Sequence, residues 1–316
     1  MRSLTFLSSV KPQILLALAT LLLSQPAHAE WRAASSLSTT VPDAVAAEME
    51  GQLYVMSGTV GTGVRRFFER YDLINDGWRP LTPLPTSLSD FSLAAGGGRV
   101  FVSGGHDSET LQASQKLWMY APESGVWFEL ADMPFARSGH ASFVVGNSVY
   151  IMGGRGEQAA YVQRYNLDTG AWQQTTSQMP LPVTNAALAR FGSDFVLAGG
   201  TTIDGRDTAT VQAFSPASDS WRVLVSIPAA SSAGALGEVD GRLHYAGGYS
   251  QTEGKVLNSH HQLSDGVWRR LKNLPQARHQ MAYFGTGKEL FIIGGALGSG
   301  FYSLFTASDR VSVFRP

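Results

Sequence analysis

Two short stretches, "MPFARSGH" and "LPQARHQM", place an arginine three residues after a proline and a histidine close behind it: Arg137 with His140, and Arg278 with His279. A guanidinium offers a planar fork of donors that suits a carboxylate or phosphate. An imidazole can pass a proton near neutral pH. Further candidates stand just after pairs of glycines (His106, Arg155, Glu157, Tyr249), and Asp43, Asp90 and Asn185 lie in positions comparable to the arginine stretches. Together these residues could hold a polar or anionic ligand and move protons on it. A plainer reading is equally open for the arginines: each bonds neighbouring backbone and holds the fold. For the histidines and carboxylates the plain reading is polar surface.

The glycine pairs raise a second question, since a glycine-rich run after a strand can cradle an anion. "VYIMGGRGEQ" is one such run. No G-x-x-x-x-G-K-S/T occurs and no helical pattern follows, so a nucleotide loop is set aside. No G-x-S-x-G elbow supports a serine hydrolase. His260 and His261 are neighbours and point to opposite faces of a strand, so they do not make a chelating pair. No metal or cofactor is expected.

Composition narrows the classes. The 316 residues carry 24 basic and 25 acidic side chains, which leaves no footprint for nucleic acid. There is no cysteine, which excludes disulfides, thiolate zinc sites, a catalytic thiol and a lipoprotein anchor. Arg2 and Lys11 precede the apolar run Ile14–Leu23, and Ala27-His28-Ala29 forms a small-x-small site before Glu30. This is the grammar of a signal peptide over residues 1–29, cleaved near Ala29, and it predicts a periplasmic or secreted protein. The apolar run is too short to span a bilayer, which needs about 20 residues.

The elements that would position these side chains repeat. Gly58, Gly105, Gly154, Gly200, Gly248 and Gly295 each close an apolar run, at steps of 47, 49, 46, 48 and 47 residues. Five of the six are preceded by glycine; the first copy has Ser57 instead. Five of the six copies also have a tryptophan after a polar turn (Trp78, Trp127, Trp172, Trp221, Trp268), with an aromatic seven residues earlier in four of them (Tyr71, Tyr120, Tyr165, Phe214). Such a period signals a repeat architecture. The unit reads as four short strands, a to d, with hairpin turns between a and b and between c and d. Strand b is apolar without alternation, so both faces are expected to be buried, as between the stacked sheets of a β-propeller.

These landmarks resemble the kelch repeat over residues 30–316. The resemblance implies an all-β, six-bladed propeller with four antiparallel strands per blade. The last copy ends at "RVSVFRP" without a tryptophan strand, while Trp31 lies 47 residues before Trp78. The N-terminal strand is therefore predicted to complete the last blade, with Trp31 beside Phe314. Strands alternate in direction, so the long b–c and d–a connections share one face of the ring, where binding residues are expected. Trp118 lies outside the repeat register and is expected to pack locally.

The kelch resemblance also puts Arg137 and Arg278 at the border of a central pocket. It implies a binding module for a carbohydrate, small polar ligand or protein partner. The export signal, blade number and lack of cysteine are similar to periplasmic sialic-acid mutarotase/epimerase propellers. In that alternative an arginine holds the sugar carboxylate, and His140, Glu157 or Asp90 acts as acid or base. Copper radical oxidases of this fold need a cysteine, which this chain lacks.

Overall fold

The computed structural model describes residues 29–58 and 66–316. The proposed signal segment lies outside them, apart from its last residue. Among the described residues, six antiparallel four-stranded sheets stand around a central channel. Blade 1 takes strands a to d from Val45–Met49, Gln52–Ser57, Phe67–Asp72 and Gly77–Pro80. Blade 2 takes them from Ser92–Gly96, Arg99–Ser103, Leu117–Ala121 and Val126–Glu129, and blade 3 from Ala141–Val145, Ser148–Met152, Tyr161–Asn166 and Ala171–Gln178. Blade 4 uses Ala187–Phe191, Asp194–Ala198, Val211–Ser215 and Ser220–Leu224, and blade 5 Ala235–Val239, Arg242–Ala246, His260–Ser264 and Val267–Arg270. Blade 6 joins both ends of the ring: Ala282–Gly285, Leu290–Ile293 and Val311–Arg315, then Glu30–Ala34 as strand d. Trp31 pairs opposite Phe314, as the repeat spacing predicts.

Strand b is buried along its length in blade 3, Ser148–Met152, because neighbouring sheets cover both its faces. Burying each such valine, isoleucine or tyrosine contributes roughly 1.5–3 kcal/mol. Trp118 packs half-buried against the core between blades 1 and 2.

Two systems of hydrogen bonds hold blade to blade. On the outside, strand-d tryptophans donate Nε1–H to a carbonyl of the preceding blade. Trp78 reaches Ser35 (2.7 Å), Trp127 Thr82 (2.9 Å), Trp172 Ala131 (3.0 Å), Trp268 Val225 (3.0 Å) and Trp31 Lys272 (3.0 Å). Trp221 has no such partner. At that seam Asp219 accepts instead from Thr176 N–H and Oγ1 and from Ser177 Oγ.

Further in, the second glycine of a pair donates its N–H to the next blade's d–a connection. Gly105 bonds Arg137 O (2.7 Å), Gly154 Val183 O (2.8 Å), Gly200 Ser231 O (2.9 Å), Gly248 Arg278 O (2.9 Å) and Gly295 Val41 O (2.9 Å). This explains the glycines. At Gly154 (φ +85°) a Cβ would lie 2.7 Å from Ser138 O and 2.6 Å from His140 Cβ, and at Gly153 (φ +67°) 2.7 Å from Val183 O. Their close neighbours are chiefly backbone carbonyls of the d–a turns, so backbone meets backbone at these positions.

Candidate functional site

The d–a turns converge on the channel. Asp43, Asp90, Gly139, Asn185, Ala233 and Gln280 stand at equivalent places, each just before a strand a. Five of them adopt left-handed backbone: Asp90 (φ 51°), Gly139 (58°), Asn185 (53°), Ala233 (51°) and Gln280 (51°). That conformation suits Gly, Asn and Asp and is strained for Ala and Gln. It turns each backbone so that neighbouring blades bond head to tail. Gly139 N–H donates to Asp90 O, Asn185 to Gly139 O and Ala233 to Asn185 O (2.8 Å each), Gln280 to Ala233 O (3.0 Å) and Ala44 to Gln280 O (3.1 Å). Between Asp43 and Asp90 the circle closes through a side chain, the Asp43 carboxylate accepting the Asp90 N–H.

Inside this collar runs a cavity of about 700 Å³, walled by the strands a of all six blades. Ala46, Ala94, Phe143, Leu188 and Phe284 make much of its wall apolar. Tyr283 crosses from blade 6 to accept the Leu188 N–H of blade 4 at 2.6 Å. Its hydroxyl is pushed up to about 12, by burial first.

Charge at the mouth is one-sided. Asp43 is pushed up to about 7, chiefly by loss of hydration and next by the negative charge of Asp90; the Asp90 N–H offsets part of this. His106 Nδ1 lies 3.4 Å from Asp90 Oδ2. The mouth thus gathers two carboxyl groups and an imidazole with no arginine or lysine paired to either carboxylate among the described residues. Such a group suits donors: hydroxyl, ammonium or guanidinium.

The sequence candidates divide. Asp90, Asn185 and His140 border the channel, while His106 reaches it through Asp90. Arg137 and Arg278 do not line it. Both are fully buried. Arg137 donates to Gly153 O (3.0 Å), Gln158 O (2.8 Å) and Tyr161 O (2.7 Å), holding the b–c loop of blade 3. Arg278 does the same in blade 6 through Gly294 O (3.2 Å), Arg310 O (2.8 Å) and Ser312 Oγ. The expectation that they border the pocket is corrected: at this position the side chain runs away from the axis, beneath the loop. Burial lowers each to about 10, which still leaves it charged at neutral pH.

His140 is a seam residue. Its Nε2 meets Ser103 Oγ at 2.8 Å, and burial, then the charge of Arg137, lowers it to about 3, so it is neutral at pH 7. His279 Nε2–H donates to Gly298 O (2.7 Å), and burial lowers its pKa too. Tyr249 is half-buried beside it, with ring centroids 5.9 Å apart. Arg155 and Glu157 are exposed on the b–c loop of blade 3, away from the channel. Gln280 and Tyr283 were not singled out in the sequence. The repeat spacing finds Gln280 once Asp43 or Asp90 is taken as the reference position.

Comparison with known proteins agrees with this architecture. The KLHDC2/KLHL20/DRC7 Kelch-repeats domain family matches residues 90–295, more than half of the chain. The chain belongs to the kelch-repeat family. It is 26% identical over 234 residues to Kelch-like protein 25 of Xenopus tropicalis, covering 70% of this chain and 39% of that protein. It is 25% identical over 216 residues to alpha-scruin of Limulus polyphemus, covering 62% and 23%. The chain therefore spans well under half the length of these relatives. A solved structure titled "Structure of YjhT" superposes with a TM-score of 0.76 at 18% identity, over 88% of this chain and 95% of that one, which shows the shared fold.

Proposed function

We propose that this kelch propeller is a binding module for a protein partner, which it engages on the b–c/d–a face by receiving a donor-rich side chain, lysine or arginine, at the channel mouth. The observation that carries this reading is an acidic mouth inside a rim of exposed apolar loop residues. Leu111 of blade 2 is 79% exposed and Ile203 of blade 4 fully exposed, with Tyr302 and Phe305 exposed on the b–c loop of blade 6. Exposed apolar residues around a charged centre fit a partner surface better than bulk water. Selection from a displayed library of random 12-residue peptides tests it. Enriched peptides are expected to carry Lys or Arg beside apolar residues, and to bind at least tenfold more weakly to Asp90→Asn and to Leu111→Glu/Ile203→Glu. If no peptide is selected and only glycans shift the melting temperature, the reading fails.

A second reading, sugar mutarotation at the same mouth, keeps one specific support. Asp43 exchanges its proton near neutrality beside a second carboxyl group, an arrangement suited to acid–base work. The arginines expected to clamp the sugar carboxylate, Arg137 and Arg278, point elsewhere. NMR of anomer exchange with N-acetylneuraminate and common hexoses tests it, Asp43→Asn serving as control. No acceleration by the parent protein rejects it for those sugars. Export through residues 1–29 belongs to this proposal as well, and N-terminal sequencing of the mature protein checks it.

A further inference from the structure

Two fully buried histidines, His244 and His260, meet in blade 5 at the seam with blade 6, the blade in which the ring closes. His244 lies in strand b of blade 5, and His260 opens strand c beside it. Comparable places are apolar in three other blades, and strand b has Tyr54 and Tyr150 there in blades 1 and 3. Blades 2, 4 and 6 have Phe101, Val196 and Phe291 in strand b, and Leu117, Val211 and Val311 in strand c. The pair therefore replaces ordinary core residues, and among the described residues only blade 5, which packs against blade 6 and its closing strand, carries a histidine in strand b.

The hydrogen bonds run in one direction. Lys272 O lies 3.3 Å from His260 Nδ1, so that nitrogen carries a proton and donates. His260 Nε2 is then bare and accepts from His244 Nδ1–H at 2.9 Å. His244 Nε2 is bare in turn and accepts from the Gln262 amide at 3.1 Å. Each ring holds one proton, and all four ring nitrogens have a partner. Lys272 O also receives the Trp31 indole N–H of the closing strand at 3.0 Å. Trp31 and Phe314 of blade 6 pack on His260, with ring centroids at 5.2 and 4.5 Å.

We propose that this pair is an acid-sensitive latch on ring closure: protonation of both imidazoles sets donor against donor between them and frees strand Glu30–Ala34 from blade 5 and from its ladder with Val311–Arg315, while the other blades stay folded. Burial outweighs what stabilises the added charge, the Lys272 carbonyl at His260 and Asp240 at His244. From blade 5 the ionisable groups that face the pair are Arg242, which opposes protonation of His244, the more distant Asp240, which favours it, and His261 beside His260. From blade 6 the facing side chains are the uncharged Trp31 and Phe314. Burial, with Arg242 adding to it, lowers His244 to about 4; burial and the neighbouring His244 lower His260 to about 3. Both are therefore neutral while closed. Once hydrated they return toward 6.5, so the latch is fully held above that pH and weakens as pH falls toward 4. The open fraction is expected to rise about tenfold per pH unit below 6.5 for each histidine exposed.

Hydrogen exchange read by mass spectrometry on the full chain tests this, at pH 7 and pH 5 with correction for intrinsic rates. In the parent, amides of Glu30–Ala34 are expected to exchange at least tenfold faster at pH 5, while strands b of blades 2 to 4 do not change. In His244→Gln/His260→Gln that response is expected to be lost. Two results overturn the proposal: a closing strand whose exchange follows the other blades at both pH values in the parent, or an acid response kept in the double variant. If the double variant does not fold, exchange of the parent at the two pH values decides by itself.

Discussion

The arginine corners and the carboxyl mouth lie within one connection of each other, yet they treat charge in opposite ways. Arg137 and Arg278 are fully buried, and the terminal nitrogens of each make three hydrogen bonds, to backbone carbonyls and, for Arg278, one serine. Asp43 and Asp90 are only partly covered, feel each other's charge, and have no arginine or lysine partner among the described residues. A charge held by three bonds from its own fold, with only its Nε left without a partner, is spent on structure. A charge held against a like charge at an opening is strained, and a ligand can relieve that strain. The contrast shows that burial and partner count, rather than residue type, separate scaffold from site here.

The largest test of this contrast is removal of a bracket. Arg137→Ala leaves three carbonyls without their donor and opens a hole, and is expected to cost about 3–5 kcal/mol in urea unfolding. Arg278→Ala is expected to cost about as much, and Arg→Lys at either place to recover less than half, because an ammonium lacks the planar fork. If either alanine variant leaves stability unchanged but abolishes ligand binding, the contrast breaks. Next comes the mouth. Asp43 has a raised folded-state pKa, so it favours folding as pH falls through about 7 and opposes it above. Asp43→Asn is therefore expected to stabilise the protein by about 1–2 kcal/mol at pH 8, after allowance for solvent in the channel, and to lose that gain by pH 4. A penalty at pH 8 would mean that the carboxylate is itself a bracket. A smaller effect separates two indoles: Trp172→Phe removes a hydrogen bond and is expected to cost about 1 kcal/mol more than Trp221→Phe, whose Nε1 has no partner. Smallest is His106→Ala, expected to change stability by less than about 0.5 kcal/mol because its pairing with Asp90 is half exposed.

The repeat made most of the fold legible. Glycine and tryptophan spacing located every blade, and the missing tryptophan in the last copy pointed to Trp31 beside Phe314. Loop lengths told the two faces apart. The site was less legible, because side-chain direction at the d–a turn is set by the neighbouring blade and has no local signature. Arg137 and Asp90 stand in the same kind of connection, but one runs beneath a loop and the other lines the channel. His260 and His261 were rightly separated by strand alternation. The partner of His260 is His244, on the adjacent strand and diagonal in register, and only the b–c pairing brings the two together.

The collar of left-handed turns has one more consequence. Its frame is made almost wholly of main-chain atoms, so its diameter does not depend on which side chains it carries. The opening is then spelled by a six-letter word, here Asp-Asp-Gly-Asn-Ala-Gln at positions 43, 90, 139, 185, 233 and 280. The backbone limits the alphabet, favouring Gly, Asn and Asp, while leaving the order of letters free. Chains sharing this frame can change what they admit by respelling the word, one blade at a time, without rebuilding the ring.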